Sequence, residues 1–213
     1  MLKNHGHTPL HIAVAPNALL APLGALLAKQ RAEEPEIPIR VIETGKQDQE
    51  KGLIEGRYAL GLSTAAPEEG SLCSVPLWRD ELAVAVPLRS PLLAFAEISL
   101  EQVVRYPLVL LSQENCETPG QQIDSLLKAA KTVPAIAEQV QSVELMMALI
   151  AAGYGIGICT KSRISALHRM GIVMRPLAGK PHYITTHLVQ RCQPRSNAVD
   201  RLIQRAHTVQ VPR

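Results

Sequence analysis

Blocks of apolar and polar residues along the first third of the chain predict alternating strands and helices. Short apolar runs at residues 11–15, 37–44 and 58–62 predict strands. Between them, apolar side chains at helical spacing predict helices at 18–32 and 46–55. The order strand, helix, strand, helix, strand favours parallel strands joined by right-handed crossovers.

The next segment departs from that alternation. In the polar helix at 46–55, Leu53 and Ile54 are the side chains expected to face inward. Further along, two strands at 75–78 and 82–86 flank a charged tripeptide, which interrupts the apolar pattern. This segment therefore predicts two short strands between the first α/β unit and whatever follows.

The same element order then returns. Strands are predicted at 108–111 and 135–140, with a helix at 120–131 between them. Another helix begins at Ser142, a good N-cap, and its buried face carries apolar side chains at i, i+3, i+4 and i+7. Gly153 suits the left-handed residue just past a helix end. Two units of like order predict an α/β protein of two lobes.

After this second unit the pattern predicts a short helix at 162–170, a strand at 184–190 and a final helix capped by Ser196. The glycine-rich segment Gly155-Ile156-Gly157 predicts a strand that another group approaches closely. That group is either a packed helix or a ligand.

Small polar side chains follow several of the predicted strands. In open parallel sheets, ligands bind beyond the carboxyl ends of the strands, and helix N-termini there offer free N–H groups to an anion. Each such residue can also be a simple helix cap. The candidate effector-binding residues are Pro16, Asn17, Ala18, Ser63, Thr64, Ser112, Gln113, Ser142, Gly155 and Ile156.

Composition and charge argue against several classes of function. A net charge of +3 with scattered Lys and Arg gives no basic stripe for DNA, and 3% aromatic residues give no stacking platform for single strands. No apolar run is long enough to span a membrane, and the N-terminal residues do not form a secretory signal. His5 and His7 are expected in a polar tail rather than a metal site.

The four cysteines, Cys73, Cys116, Cys159 and Cys192, lie far apart and form no CxxC pair. This spacing argues against a zinc site and against a disulfide framework, so reduced thiols in a cytoplasm are expected. No cofactor and no metal are expected.

Several segments together resemble the effector-binding domain of LysR-type transcriptional regulators over nearly the whole chain. They are LHIAVAPNALLAPLGALLAKQRAEEPEIPIRVIE, LIEGRYALGLS, LWRDELAVAVPLRSPLLA, PLVLLSQENC and VQSVELMMALIAAGYGIGI. The resemblance implies two Rossmann-like lobes joined by two crossover strands, as in type-2 periplasmic binding proteins. Lobe one would hold residues 9–81 and 185–211, and lobe two residues 82–184.

The resemblance also implies partners. A small effector would bind between the lobes, and copies would pair antiparallel as a homodimer or within a homotetramer. Helix 18–32 and strand 37–43 of one copy would meet helix 120–131 and strand 135–140 of another. DNA would be bound by an N-terminal winged helix-turn-helix outside this chain.

Three positions depart from the family pattern or raise a question about it. Tyr58 stands where an acidic residue is common, and Thr160 where a proline is common. Cys116 stands about where peroxide-sensing members keep a reactive cysteine, but Ser125 occupies the place of its partner. An incidental cysteine is therefore expected at that site, because a disulfide switch needs a second thiol.

The resulting hypothesis is the ligand-sensing module of a transcriptional regulator, with a small carboxylate as the expected effector. An alternative is a periplasmic-type solute-binding protein of the same fold. An enzyme is not expected, because no Ser-His-Asp set, carboxylate pair or metal cluster stands at the predicted strand ends.

Overall fold

A computed structural model describes residues 8–16, 18, 20–67, 70–112, 117–130, 132–167, 170–192 and 195–209. The chain divides into two compact units. Unit 1 comprises the described residues of Met1–Arg79 and Thr185–Arg213, and unit 2 those of Asp80–Ile184. The first boundary lies two residues before the one expected from the resemblance.

The elements follow in an order close to that predicted. They are β1 (Leu10–Val14), α1 (Leu20–Glu33), β2 (Ile39–Glu43), α2 (Lys46–Ile54), β3 (Leu60–Ser63), β4 (Leu72–Pro87), a 3-10 helix (Pro91–Ala94), α3 (Leu100–Val103), β5 (Leu108–Leu111), α4 (Glu117–Lys128), β6 (Ile136–Val140), α5 (Val143–Ala151), β7 (Gly157–Thr160), α6 (Lys161–Ala166), β8 (Ile172–Pro176), β9 (Tyr183–Arg191) and α7 (Asn197–Thr208).

Unit 1 is built on parallel strands, as the alternating pattern predicts. β1 pairs with β2 on one side and β3 on the other, both in parallel, and β9 adds to β3 in the antiparallel sense. Its main core joins Ile12, Leu62, Leu188 and Leu202, all less than 5% exposed. The last strand and helix of the chain therefore complete the core that the first strand begins.

Unit 2 repeats the parallel arrangement. β5 pairs in parallel with β6, and a parallel bridge between Leu108 and Ile156 places β7 on its other side. β4 then pairs antiparallel with β7 and with β8. The predicted buried face of α5 is confirmed, since Met146, Met147 and Ile150 are fully buried.

The prediction of two short strands around the charged tripeptide is wrong. β4 is one continuous strand of 16 residues. Asp80, in the middle of it, is only 4% exposed because its carboxylate accepts hydrogen bonds from the backbone N–H and hydroxyl of Ser162. Glu81 pairs at 2.7 Å with Lys161. These partners lie about 80 residues away and are invisible to a local pattern.

The inward orientation predicted for Ile54 is also wrong. Leu53 is fully buried, but Ile54 is 53% exposed. The second inward side chain of α2 is the polar Gln49, whose amide donates to the carbonyls of Ala13 and Leu62 at 3.1 and 3.2 Å. Gln49 thereby ties β1 to β3, and its hydrogen bonds allow it to be buried.

The expectation of reduced thiols fails at one pair. Cys73 and Cys192 form a disulfide with Cα atoms 5.2 Å apart, across 119 residues of sequence. β4 and β9 are neighbours in the sheet, and the Cys192 N–H donates to Ser71 at 2.9 Å. Pairing of the two strands therefore brings together cysteines that the sequence keeps apart. Cys159 is a buried thiol.

Glycines after α5 fit the predicted close approach, and the group that approaches is protein. Gly153 has φ of +87°, as predicted for the residue past a helix end. A Cβ on Gly157 would lie 2.3 Å from Met146 Cε and 2.9 Å from Val109 O. Gly157 therefore lets α5 and β5 pack directly against β7. No helix among the described residues is long and apolar enough to cross a bilayer.

Candidate functional site

The carboxyl ends of β1 and β3 bring one group of predicted residues together in unit 1. The Ala15 N–H donates to Leu62 at 2.8 Å, which sets Pro16 beside the end of β3. There Ser63 and Thr64 are 4% and 8% exposed. Ser63 Oγ accepts from the Ala65 N–H at 3.1 Å, so its hydroxyl proton stays available to donate. This edge is buried, polar and uncharged.

His187 also lies at the unit 1 edge and is not among the binding residues predicted from the sequence. It is the antiparallel register partner of Ser63 on β9. Its Nδ1 is buried and has no hydrogen-bond partner in the described part of the chain. Burial lowers the pKa of His187 below its ordinary value of 6.5, which favours the neutral ring. A ring nitrogen left in this state can accept or donate one further hydrogen bond.

Ala18 takes a different place from its neighbours in the prediction. It is 1% exposed and packs into the main apolar core of unit 1. Its backbone N–H donates to Ala15 at 3.1 Å. Ala18 therefore shapes the turn after β1 through its backbone, and its methyl group faces the core.

Unit 2 also has polar residues at the edge where β5, β6 and β7 end. The Ser112 N–H donates to the Val140 carbonyl at 2.7 Å, so the parallel pairing of β5 and β6 continues to their carboxyl ends. Ser142 follows at the start of α5, where its hydroxyl accepts from the Leu145 N–H at 3.2 Å. The predicted cap is confirmed, and the exposed Ser142 keeps its hydroxyl proton to donate.

Thr160 is a second polar residue at a strand end that is not among the predicted binding residues. It ends β7 at the same edge and is 7% exposed, and its Oγ1 is buried with no hydrogen-bond partner among the described residues. A threonine before a helix normally caps it through its hydroxyl, but Thr160 makes no such bond. Asp80 caps α6 instead, through Ser162. The hydroxyl of Thr160 thus has no hydrogen bond within the described part of the chain, and an unpaired buried polar group needs an explanation.

Gly155 and Ile156 lie away from these strand ends. They precede β7, at its amino end, where the Ile156 N–H donates to Pro107 at 2.9 Å. A Cβ on Gly155 would lie 2.2 Å from Pro107 O, and Ile156 is 2% exposed in the core. Both residues line a cavity of about 580 Å³ whose walls include Arg89, Tyr106 and Tyr154. The structure therefore does not bring them together with Ser112, Ser142 and Thr160.

Several predicted residues lie outside the described part of the chain. They are Asn17, Gln113, Cys116, His5 and His7. Among the residues that the structure does describe, no group of three or more His, Cys, Asp or Glu side chains could hold a metal ion. Tyr58, the first departure from the family pattern, is 7% exposed and donates its hydroxyl to Asp48 at 3.0 Å.

Comparison with known proteins identifies the family. Residues 3–210 match the family model of the LysR substrate binding domain. Curated relatives include a probable cat1 operon transcriptional activator of Acinetobacter lwoffii, 24% identical over 77% of this chain and 54% of its own length. Another is the uncharacterised regulator YeiE of Escherichia coli K12, 24% identical over 90% of this chain and 65% of its own. The chain thus spans about half to two thirds of these relatives.

Solved structures with the same fold include effector-binding domains. The BenM effector-binding domain with its effector benzoate has a TM-score of 0.86 at 19% identity, covering 94% of this chain and 90% of that one. The effector-binding domain of QuiR in complex with shikimate has a TM-score of 0.80 at 20% identity, covering 95% and 97%. At these identities the likeness establishes the fold, which is the type-2 periplasmic-binding-like fold of two α/β lobes expected from the resemblance.

The curated relatives are named as transcriptional regulators, and this agrees with the expectation of a non-enzymatic protein. The family model that matches is that of LysR domains, not that of the periplasmic-type solute receptors of the alternative. Because the family model covers nearly the whole sequence, the chain belongs to the family of LysR substrate-binding domains.

Proposed function

We propose that this chain senses a small carboxylate for a LysR-type transcriptional regulator and holds it between the polar strand ends of units 1 and 2. Ser63, Thr64 and His187 would contact the ligand from unit 1. Ser112, Ser142 and Thr160 would contact it from unit 2. Asn17, which follows the first strand in the sequence, and Gln113, which follows Ser112, remain predicted members of the site.

The observation that carries the proposal is a pair of buried polar atoms that have no hydrogen-bond partner among the described residues. Thr160 is the last residue of β7, and His187 on β9 is the register partner of Ser63 at the carboxyl end of β3. Leaving such an atom unpaired costs about 1–3 kcal/mol, so a ligand that pairs it recovers that free energy on binding. No Asp or Glu stands among these six residues, so the lining suits an acceptor such as a carboxylate.

The ligands named for two structural neighbours support the same class of effector. Benzoate and shikimate, bound by the BenM and QuiR domains, are both small carboxylates. A carboxylate needs two or three donated hydrogen bonds, and serine and threonine hydroxyls supply them without burying a charge.

The mechanism that follows is a shift between conformations. A ligand that contacts both lobes stabilises the lobe arrangement in which all its hydrogen bonds form, and it changes the equilibrium only by its difference in affinity for the two arrangements. A coupling of about 1–3 kcal/mol is sufficient for a graded transcriptional response. DNA binding itself is proposed for a part of the regulator outside this chain.

A thermal-shift screen of carboxylates, beginning with benzoate and shikimate, tests the proposal. A carboxylate that binds only the native state, at a free concentration one hundred times its Kd, stabilises the protein by about 2.7 kcal/mol. The melting temperature then rises. The matched control is the amide of the same compound, because it keeps the shape and lacks the charge. An amide that raises the melting temperature as much as its acid would show that the site does not select an anion. A screen without any stabilising acid would remove the carboxylate from the proposal.

We also infer a dimer in which α1 and β2 of one copy meet α4 and β6 of another. In each unit the outer parallel strand is an edge, β2 in unit 1 and β6 in unit 2. Val41 on β2 is 43% exposed, and Ile136 on β6 is 44% exposed. Exposed apolar edge strands are surfaces that proteins normally cover.

Sedimentation velocity of three variants tests the dimer. Val41→Glu and Ile136→Glu should each convert a dimer to a monomer. Leu88→Glu, which changes a more exposed apolar residue outside the four elements, should leave the dimer intact. A monomeric parent chain, or dimers in all three variants, would contradict this interface.

A further inference from the structure

The backbone at Cys73 and Cys192 is already set for a cross-link. Cys73 is the second residue of β4, and Cys192 directly follows β9. Their Cα atoms are 5.2 Å apart, within the range that a disulfide spans without backbone movement. The Cys192 N–H donates to Ser71 at 2.9 Å, so the two strand ends are also joined by a main-chain hydrogen bond. The reduced pair can therefore keep the same backbone as the oxidised pair.

Both cysteines of the pair lie at the surface. Cys73 and Cys192 are exposed residues, whereas Cys159 is 4% exposed inside the core of unit 2. Thiol–disulfide exchange needs access to the sulfur, and exposed disulfides are the ones most readily exchanged. Exposure thus separates this pair from a buried structural cross-link.

The position of the bond in the chain gives it a consequence. β4 carries the chain from unit 1 into unit 2, and β9 carries it back. All of Asp80–Ile184 lies between the two cysteines. The disulfide therefore fixes the unit 1 ends of both connecting strands, and its reduction leaves those ends held by main-chain hydrogen bonds.

We propose that Cys73 and Cys192 form a reversible redox site, which exchanges with low-molecular-weight disulfides of the glutathione type and controls how firmly the two connecting strands are joined. In the oxidising direction, one cysteine thiolate attacks a sulfur of the small disulfide and releases one thiol. The second cysteine thiolate then attacks the protein sulfur of this mixed disulfide and releases the second thiol. The protein dithiol loses two electrons, and the small disulfide gains them.

This site is separate from Cys116, the position that the family resemblance associates with peroxide sensing. It also needs no effector, because the exchange occurs just past the carboxyl end of β9, whereas His187 lies at the middle of that strand. The carboxylate proposal and the redox proposal therefore fail or succeed independently.

Equilibration of the purified chain in glutathione buffers tests the redox site. Samples at fixed total glutathione and graded ratios of reduced to oxidised form are quenched with N-ethylmaleimide, digested, and assayed by mass spectrometry for the peptide that links Cys73 to Cys192. As the ratio of reduced to oxidised glutathione rises, the fraction of protein that yields the linked peptide should fall from nearly all to nearly none. Hydrogen exchange of the Cys192 amide should become faster in the reduced samples, because the hydrogen bond to Ser71 opens more often.

Single substitutions show which cysteines form the linked peptide. Cys73→Ser and Cys192→Ser should each abolish the linked peptide, whereas Cys116→Ser and Cys159→Ser should leave its titration unchanged. A linked peptide that persists at every ratio would identify a permanent structural bond and overturn the proposal. So would a peptide that never forms, or one that joins either cysteine to Cys116.

Discussion

Arg205 and Glu34 form an ion pair between α7 and the end of α1, with Nη1 and Oε2 2.7 Å apart and both side chains only 11% exposed. Gln30 joins the pair, because its amide donates to Glu34 at 3.2 Å and its carbonyl oxygen accepts from Arg205 at 2.7 Å. Arg201 also donates to Glu34. The first and last helices of unit 1 are thus joined by charged hydrogen bonds as well as by apolar packing.

This network predicts sensitivity to acid. Hydrogen bonding from Arg205 lowers the pKa of Glu34 from 4.5 to about 2. A depressed carboxyl pKa adds stability above pH 4.5, and that stability is lost as the pH falls towards 2. Glu34→Gln should therefore reduce the free energy of unfolding at pH 7 by about 3 kcal/mol, the order expected for breaking a buried pair.

Urea denaturation at pH 7 and at pH 3 measures both effects of Glu34→Gln. The variant should lose less stability than the parent between the two pH values, because it has no carboxyl to protonate. Glu36→Gln, an exposed carboxylate two residues on, serves as the control and should change little. Equal losses in the two variants would contradict the assignment to Glu34.

Thr160→Val separates a ligand-binding role from a structural one. The substitution keeps the shape and removes a hydroxyl that bonds to nothing in the described residues. The melting temperature should stay the same or rise, since an unpaired buried polar group is removed. Binding of the carboxylate found by screening should weaken about tenfold, the equivalent of one hydrogen bond of about 1.4 kcal/mol. Calorimetric titration measures the Kd, and an unchanged Kd with a lower melting temperature would show a structural role instead.

Asp80→Ala should loosen the start of α6. Asp80 supplies the cap that Thr160 does not, and loss of a cap costs about 0.5–2 kcal/mol. Hydrogen exchange should become faster at Ser162 and the following turn of α6. Glu81→Gln, which removes only the partly exposed pair with Lys161, is the matched control and should cost less than about 1 kcal/mol. Equal exchange in both variants would remove Asp80 as the cap.

Two glycine substitutions should act in opposite directions. Gly155→Ala places a Cβ 2.2 Å from the backbone oxygen of Pro107, a clash that requires backbone movement and costs about 1–3 kcal/mol or more. Gly24→Ala, on an open face of α1, meets nothing within 4 Å and should stabilise the protein by about 0.5–1 kcal/mol. Thermal unfolding of the two variants checks both signs. Stabilisation by Gly155→Ala would contradict the close approach of Pro107.

The sequence predicts the fold well because its signals are local. Periodic apolar faces, the serine cap at Ser142 and the glycine at Gly153 each act within one element, and the structure confirms them. The failures all involve partners distant in sequence. Charge at Asp80 suggested a break in β4, but Ser162, 82 residues on, satisfies it within the strand.

The same reason explains what was missed at the site. Nothing local in the sequence indicates that the Thr160 hydroxyl lacks a partner among the described residues, because Asp80 of another strand takes its capping role. Likewise His187 gains its place only when β9 aligns with β3 at Ser63. Strand ends can thus be predicted from periodicity, whereas the polar atoms left unpaired there depend on the complete sheet.

The insertion of unit 2 between β4 and β9 also sets an order for synthesis on the ribosome. Unit 2 is one contiguous segment and emerges whole, while unit 1 still lacks its last strand and helix. Until Ala206 leaves the exit tunnel, the indole N–H of Trp78 cannot donate to its carbonyl. The unit 1 core that includes Leu188 and Leu202 remains exposed to solvent until then. The unit that starts first in the nascent chain is therefore the one that finishes last.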